Sequence, residues 1–277
     1  MNLEEQKRSL EALYAITSKH GQYQTLPSEL AARLGMQFNV NEEWRGDRTR
    51  YPLIKELVRS SGAATVIDVG ANTGFFTLSL AADLPGLKIT ACERNRTHAD
   101  IIEILADVGE YSSVDVIDRS ADLANVGSLG DFDVMLHLNI LHHAGHDFDP
   151  DLVPDRNAFA EYGINYLRTA QGSARKLIFQ MGYNWRGDKS LPLVAKEDQV
   201  GKFQFTRRLL EGAGWNILSV SFACKGDGDL PITYEAFRMD ELPGDDSLDK
   251  WLRERYEVSV WSEFYQRPIW FCVQDRP

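Results

Sequence analysis

The chemistry of this chain starts in a stretch nearly bare of large side chains. In "VIDVGANTGFF", residues 66–76, an apolar run carries Asp68 and then turns through Gly70 and Gly74. Gly70 permits a sharp exit from a strand, and Gly74 lets the next helix pack closely. The stretch is one glycine short of the GxGxxG dinucleotide fingerprint, because Ala71 and Asn72 fill the middle of the turn. Asp68 directs a carboxylate across that turn, which repels a pyrophosphate and suits a cationic or ribose-bearing ligand. The next apolar run, "KITACER", ends in Glu93, where such sites place the carboxylate that holds ribose hydroxyls.

A second group lies in "LHLNILHHAGHDFDPD", with His137, His142, His143 and His146 beside Asp147, Asp149 and Asp151. Three readings stand side by side. His137 can be a satisfied core residue while the others decorate a solvated loop. His142 or His143 can be a general base, since an imidazole titrates near neutral pH; His142 comes first after the apolar run. The His and Asp side chains can also hold a divalent cation, but their spacing fits no compact ligand motif, and no metal ligand is assigned.

A third group is aromatic and basic. Trp–Arg–Gly–Asp occurs twice, at Trp44–Asp47 and Trp185–Asp188. Arginines beside aromatic faces suit a phosphate or carboxylate on a planar or sugar-containing molecule. Trp44, Arg45, Arg48, Tyr183, Trp185, Arg186 and, late in the chain, Arg267 are therefore candidate substrate contacts. The plainer reading makes the tryptophans core plugs and the arginines surface charges.

The elements that must position these groups follow a clear rhythm. Residues 1–35 read as helical, with Leu3, Leu10, Leu13 and Ile16 near one face, and a further helix starts near Pro52. From residue 64, short apolar runs alternate with helical segments: "ATVIDVG", "KITACER", "SVDVID", "FDVMLHLN" and "RKLIFQMG" read as strands. "NILSVSFACK" and "PIWFCVQ" follow as the last two. Strands apolar enough to be buried on both faces predict a doubly wound α/β fold, a mostly parallel seven-stranded sheet covered by helices. The domain reading is an N-terminal helical lobe over 1–50 and a main domain over 51–277. A polar, irregular insertion or lid is expected at about 225–266.

Composition narrows the partners. A net charge of −11 and a pI near 5.1 weigh against a nucleic-acid partner, whose affinity would come from clustered lysine and arginine. No apolar run approaches the ~18 residues needed to span a bilayer. Cys92, Cys224 and Cys272 are widely spaced, with no CxxC pair, which fits free thiols and a cytoplasmic protein.

The pattern hydrophobic–Asp–x–Gly–x–x–x–Gly, followed by an acidic residue closing the next strand, resembles the class I S-adenosylmethionine-dependent methyltransferases. "DFDVMLHLNILHH" is similar to that family's fourth strand and loop, and "LLEGAGWNILSVSF" to its late helix, Gly–Trp, strand element. ANTG stands here in place of the commoner CGTG form. The resemblance spans roughly residues 50–222 and implies a Rossmann-like fold with S-adenosyl-L-methionine as cofactor. It implies that Asp68, Gly70, Asn72 and Gly74 line the methionine end and that Glu93 takes the ribose hydroxyls. Arg94 and Asn95 would flank the adenosine, Asp118 and Arg119 the adenine, and Asn139 the sulfonium side. The implied activity is methyl transfer, with O-methylation of a small or sugar-based acceptor the leading expectation. A fainter resemblance, to wobble-uridine tRNA carboxymethyltransferases, supplies an RNA-modifying alternative. A third alternative is an inactive methyltransferase fold that serves as a binding partner.

Overall fold

A computed structural model of the chain describes residues 2–16, 24–36, 46–225, 232–256 and 262–274. These form two compact units, one up to Ala121 and the other from Asp122.

The first unit is built on three parallel strands in the order β3-β2-β1: β1 (Thr65–Val69), β2 (Lys88–Cys92) and β3 (Val114–Ile117). Around them lie helices α1 (Leu3–Ile16), α2 (Ser28–Leu34), α3 (Asp47–Ser60), α4 (Phe75–Asp83) and α5 (Arg96–Gly109). The α5 helix starts where the Asn95 side chain accepts the backbone N–H groups of Thr97 and His98. Its apolar stripe, Ile101, Ile102 and Leu105, packs with Leu10 and Tyr14 of α1 and with Leu30 and Leu34 of α2.

The α1 face differs from the expected one. Leu3 and Ile16 are exposed, and the buried stripe is Gln6, Leu10 and Tyr14. Leu3 shares that side but is the first residue of the helix, Leu13 packs at its edge, and Ile16, the last residue, is turned away from it. The third helix also differs: it starts at Asp47 rather than near Pro52, which lies inside it. Gly46 opens it in the left-handed region, with its carbonyl accepting the Arg50 N–H at 2.9 Å. This extension places Asp47 and Arg50 on one helical face.

The second unit has five strands in the order β4-β5-β8-β6-β7. The pair β4 (Phe132–Leu138) and β5 (Ala174–Gln180) is parallel, with α6 (Phe159–Ala170) between them in sequence. The rest is antiparallel: β6 (Trp215–Lys225), which follows α7 (Gln199–Gly212), then β7 (Ile232–Arg238) and β8 (Ile269–Gln274).

Among the described residues the strands therefore number eight where seven were expected, and the extra one is β7. It falls inside the segment expected to be irregular. The half-buried residues of "ITYEAFR" pair antiparallel with Ser219–Lys225, on the edge of β6 that faces away from β8. The same segment contains α8 (Asp245–Tyr256), whose Leu248 and Leu252 are buried and whose Trp251 meets Phe222 and Phe237 edge-on. Among the described residues, no helix is long and apolar enough to cross a membrane.

Candidate functional site

In the first unit the glycine turn is held from three sides. Gly70, Asn72 and Gly74 all have positive φ, at 66°, 55° and 87°. Asparagine tolerates this region best among residues with a Cβ, and the Asn72 side chain also accepts the Thr73 N–H at 2.8 Å. At Gly74 a Cβ would stand 2.9 Å from Ile102 Cγ1, so α4 and α5 approach only because that atom is missing. The N-terminus of α4 receives Gln24, whose Oε1 accepts the Phe75 N–H at 3.2 Å and the Thr73 hydroxyl at 3.3 Å.

Glu93 binds the turn to the end of β2. Oε2 accepts the Asn72 N–H at 2.9 Å, and Oε1 accepts the Asn95 N–H at 2.8 Å. The carboxylate is 8 % exposed; burial raises its pKa, and the two backbone donors oppose that shift. Asp68 is buried more completely and titrates near 7, pushed up by burial and restrained by Thr77, whose hydroxyl donates to Oδ2 at 2.8 Å. Glu93 adds repulsion and Arg50 attraction. Arg50 is 4 % exposed, donates to Asp47 Oδ1 at 2.5 Å and lies 4.9 Å from the centre of the Phe76 ring.

Of the remaining first-unit candidates, Arg94 is exposed next to Glu93, and Asp118 lies 3.8 Å from Arg96. The Arg119 carbonyl accepts the Cys92 thiol. Arg48 is exposed and donates to the Thr25 hydroxyl at 3.3 Å. Trp44 and Arg45 lie outside the described residues.

In the second unit, Asn139 follows β4 with φ 61° and is gripped on both sides. Its side-chain amide donates to Gln180 Oε1 at 2.8 Å, and its Oδ1 accepts from Arg267 at 3.0 Å. Gln180 closes the ring by donating to the Arg267 carbonyl at 2.8 Å. Lys202, 1 % exposed, anchors the neighbouring Gln266 at 2.9 Å, and burial lowers its pKa to about 8.

The histidines separate into different roles. His137 is fully buried against Tyr166, and burial depresses its pKa to about 4. His142 is 4 % exposed, and its Nδ1 accepts the Gly182 N–H at 3.1 Å. His143 lies against it with ring centres 4.2 Å apart and planes tilted by 43°, and places Nδ1 3.2 Å from Asp147 Oδ2. Asp149 is committed elsewhere, accepting the Leu123 N–H and the Tyr162 hydroxyl. Among the described residues, no three His, Cys, Asp or Glu side chains converge as a cation would need.

Trp185 donates its ring N–H to the Ala144 carbonyl at 2.9 Å, which ties the loop after β5 to the loop after β4. Arg186 lies 4.1 Å over the Trp185 ring. Tyr183 is 2 % exposed and bonded to Thr206, a core position rather than a surface contact. Arg50, Gln24, Thr77 and Gln180 did not emerge from the sequence. The one available signal was the three-residue step from Asp47 to Arg50, legible only once a helix is known to start at residue 47.

No protein-family model and no curated protein matches the chain. Among solved structures, that of WbdD superposes with a TM-score of 0.56 at 16% identity, covering 97% of this chain and 47% of WbdD. A second structure describes WbdD as a bifunctional kinase-methyltransferase. The chain shares its fold with this structure. The chain spans about half the length of WbdD, but it spans nearly all of another neighbour. The N-terminal domain of EvdMO1, solved in the presence of SAH and D-fucose, matches with a TM-score of 0.52 at 15% identity, covering 100% of this chain and 98% of that domain. At such identities the likeness establishes the fold alone.

Proposed function

We propose that the chain is an S-adenosylmethionine-dependent methyltransferase that O-methylates a small or sugar-type acceptor. One observation carries the cofactor reading. Glu93 closes β2 beside the glycine turn with each carboxylate oxygen already aligned by one backbone N–H. A carboxylate has about four acceptor positions, so it retains the capacity for two vicinal ribose hydroxyls. Asp68, Gly70, Asn72 and Gly74 would hold the amino-acid end. Arg94, Asn95, Asp118 and Arg119 would flank the adenosine, and Asn139 would face the sulfonium. When bound, the cofactor supplies an electrophilic methyl group; what remains for the chain is alignment of the acceptor and removal of its proton.

His143 suits that proton transfer better than His142. The Gly182 N–H occupies Nδ1 of His142, so a neutral His142 carries its own proton on Nε2 and offers no acceptor there. His143 is arranged the other way round. Asp147 holds its Nδ1 side, which makes Nε2 the atom that would accept a proton and stabilises the cation that forms. His142 then acts by holding the loop after β5. Trp185, Arg186 and Arg267 are proposed to contact the acceptor, with Trp44, Arg45 and Arg48 as further candidates. The EvdMO1 domain was solved with D-fucose, which supports a sugar-type acceptor. The acidic charge supports a small acceptor over RNA.

The experiment is calorimetry with S-adenosylhomocysteine, then a screen of monosaccharides and small hydroxylated metabolites for methyl transfer. Saturable binding that is weakened about 10–100-fold in Glu93→Ala supports the reading. Failure of the wild type to bind the nucleoside overturns it.

A further inference from the structure

At one edge of the second unit's sheet, charge and burial are distributed in a way that apolar packing does not require. Asn139 follows β4, Gln180 ends β5 and Arg267 stands two residues before β8, and the three side chains meet there. The loops that carry His143 and Trp185 leave from the same edge.

Among the described residues of the second unit, Lys202 is the one lysine, arginine, aspartate or glutamate that is fully buried. Its ammonium donates to Gln266 Oε1 and to the Lys196 carbonyl, both neutral. Glu263 attracts it and Arg267 repels it. Glu197 and Asp198 attract it too, but both are exposed, and Asp198 is engaged with the Gly201 N–H. Lys202 and Arg267 therefore share Glu263 as their one partly buried carboxylate. Its Oε1 accepts the Asn184 amide at 2.5 Å and lies 3.7 Å from Arg267 Nη2, beyond hydrogen-bond reach. Two cations against one carboxylate leave a single positive charge, in a chain whose net charge is −11.

A desolvated charge in excess is costly until a partner completes it. Arg267 is the member that a partner can reach, since its side chain is 15 % exposed. Asn139 Oδ1 holds Nη1 at 3.0 Å, and the guanidinium lies 5.4 Å from the centre of the Phe264 ring. A planar fork fixed in this way suits an oxyanion. One positive charge matches a carboxylate rather than a phosphate dianion.

We propose that the acceptor carries a carboxylate as well as the hydroxyl that is methylated, and that Arg267, reinforced by Lys202, recognises it. The inference rests on the acceptor reading above and deepens it: a sugar acid fits the site better than a neutral hexose. Asn139 positions the guanidinium, and Glu263 limits the charge of the site to one.

The test is calorimetric, uses the full chain and needs no turnover. It is run at constant ionic strength and pH 6, where Lys202, with a pKa lowered by burial to about 8, is charged. Acetate is the monoanionic probe and sulfate the dianionic one, and glucuronate is compared with glucose. The wild type should bind acetate saturably and more tightly than sulfate, and glucuronate more tightly than glucose. Arg267→Met should weaken acetate by about 10–100-fold, the scale of one charge-assisted contact, and erase the preference for glucuronate. Arg267→Lys should weaken acetate less, and it decides the matter if Arg267→Met does not fold. Glu263→Gln keeps an oxygen for Asn184 and removes the opposing charge, so it should tighten acetate by about three- to tenfold, a gain that a structural role alone does not produce. A wild type that does not bind acetate, or does not prefer glucuronate to glucose, overturns the inference. So does undiminished acetate binding in Arg267→Lys, or weaker binding in Glu263→Gln. Sulfate bound more tightly than acetate overturns the carboxylate in favour of a phosphate. S-adenosylhomocysteine is titrated into the same samples: a wild type that binds the probes as expected but not this nucleoside overturns the cofactor reading and leaves the anion site standing.

Discussion

Replacing Asp68 by asparagine should change how stability depends on pH. In the folded chain Asp68 titrates near 7, against an ordinary value of 3.8, chiefly because burial penalises its charge. The native state therefore binds the proton more tightly than the unfolded state. The associated stabilisation is fully present below pH 3.8 and is lost as pH rises through about 7. With one pKa unit worth about 1.36 kcal/mol, the group contributes about 2–3 kcal/mol at pH 5 and almost nothing at pH 8. Asparagine keeps an oxygen for the Thr77 hydroxyl and cannot titrate. Urea unfolding of both proteins at pH 5 and pH 8 isolates the effect, because every other titrating group is shared. The wild type should lose about 2–3 kcal/mol more than Asp68→Asn over that interval. Parallel pH profiles would refute the argument, for they would mean that the carboxylate is hydrated or compensated in a way its burial does not reveal.

Glu93→Ala should weaken S-adenosylhomocysteine binding by about 10–100-fold in calorimetry, equivalent to roughly 1–3 kcal/mol, because two hydroxyls and two backbone donors lose their acceptor. Gly74→Val should depress the melting temperature and abolish binding, since even the first side-chain carbon stands 2.9 Å from Ile102 in a left-handed backbone. His143→Ala should cut turnover by about 10²–10⁴-fold and remove the rise of rate with pH, while His142→Ala should lower stability and keep that rise. Loss of the pH limb in His142→Ala alone would reverse their roles. Binding to bulk transfer RNA should be weak and fall steeply with salt, and tight saturable binding to one transfer RNA at physiological salt would favour the RNA-modifying alternative.

Much of the architecture is legible because its causes are local. Apolar runs at "ATVIDVG", "KITACER" and "FDVMLHLN" become β1, β2 and β4, since the alternation of buried strands and amphipathic helices is a property of backbone period. The Gly70–Gly74 turn and the acid at Glu93 are legible for a similar reason: a turn requiring positive φ needs its glycines at set spacing. What sequence left open depends on groups that meet across long chain separations. The β7 strand forms on the edge of β6 that β8 leaves open. "LHH" offers two equivalent bases until the Gly182 N–H, forty residues away, occupies one imidazole and Asp147 holds the other. Arg50 reads as one arginine among several in "RGDRTRYP" until α3 starts early enough to pair it with Asp47 and bury both beside Asp68. Backbone periodicity is written residue by residue, but tautomers, shifted pKa values and buried charge pairs are set by neighbours that only folding brings into contact.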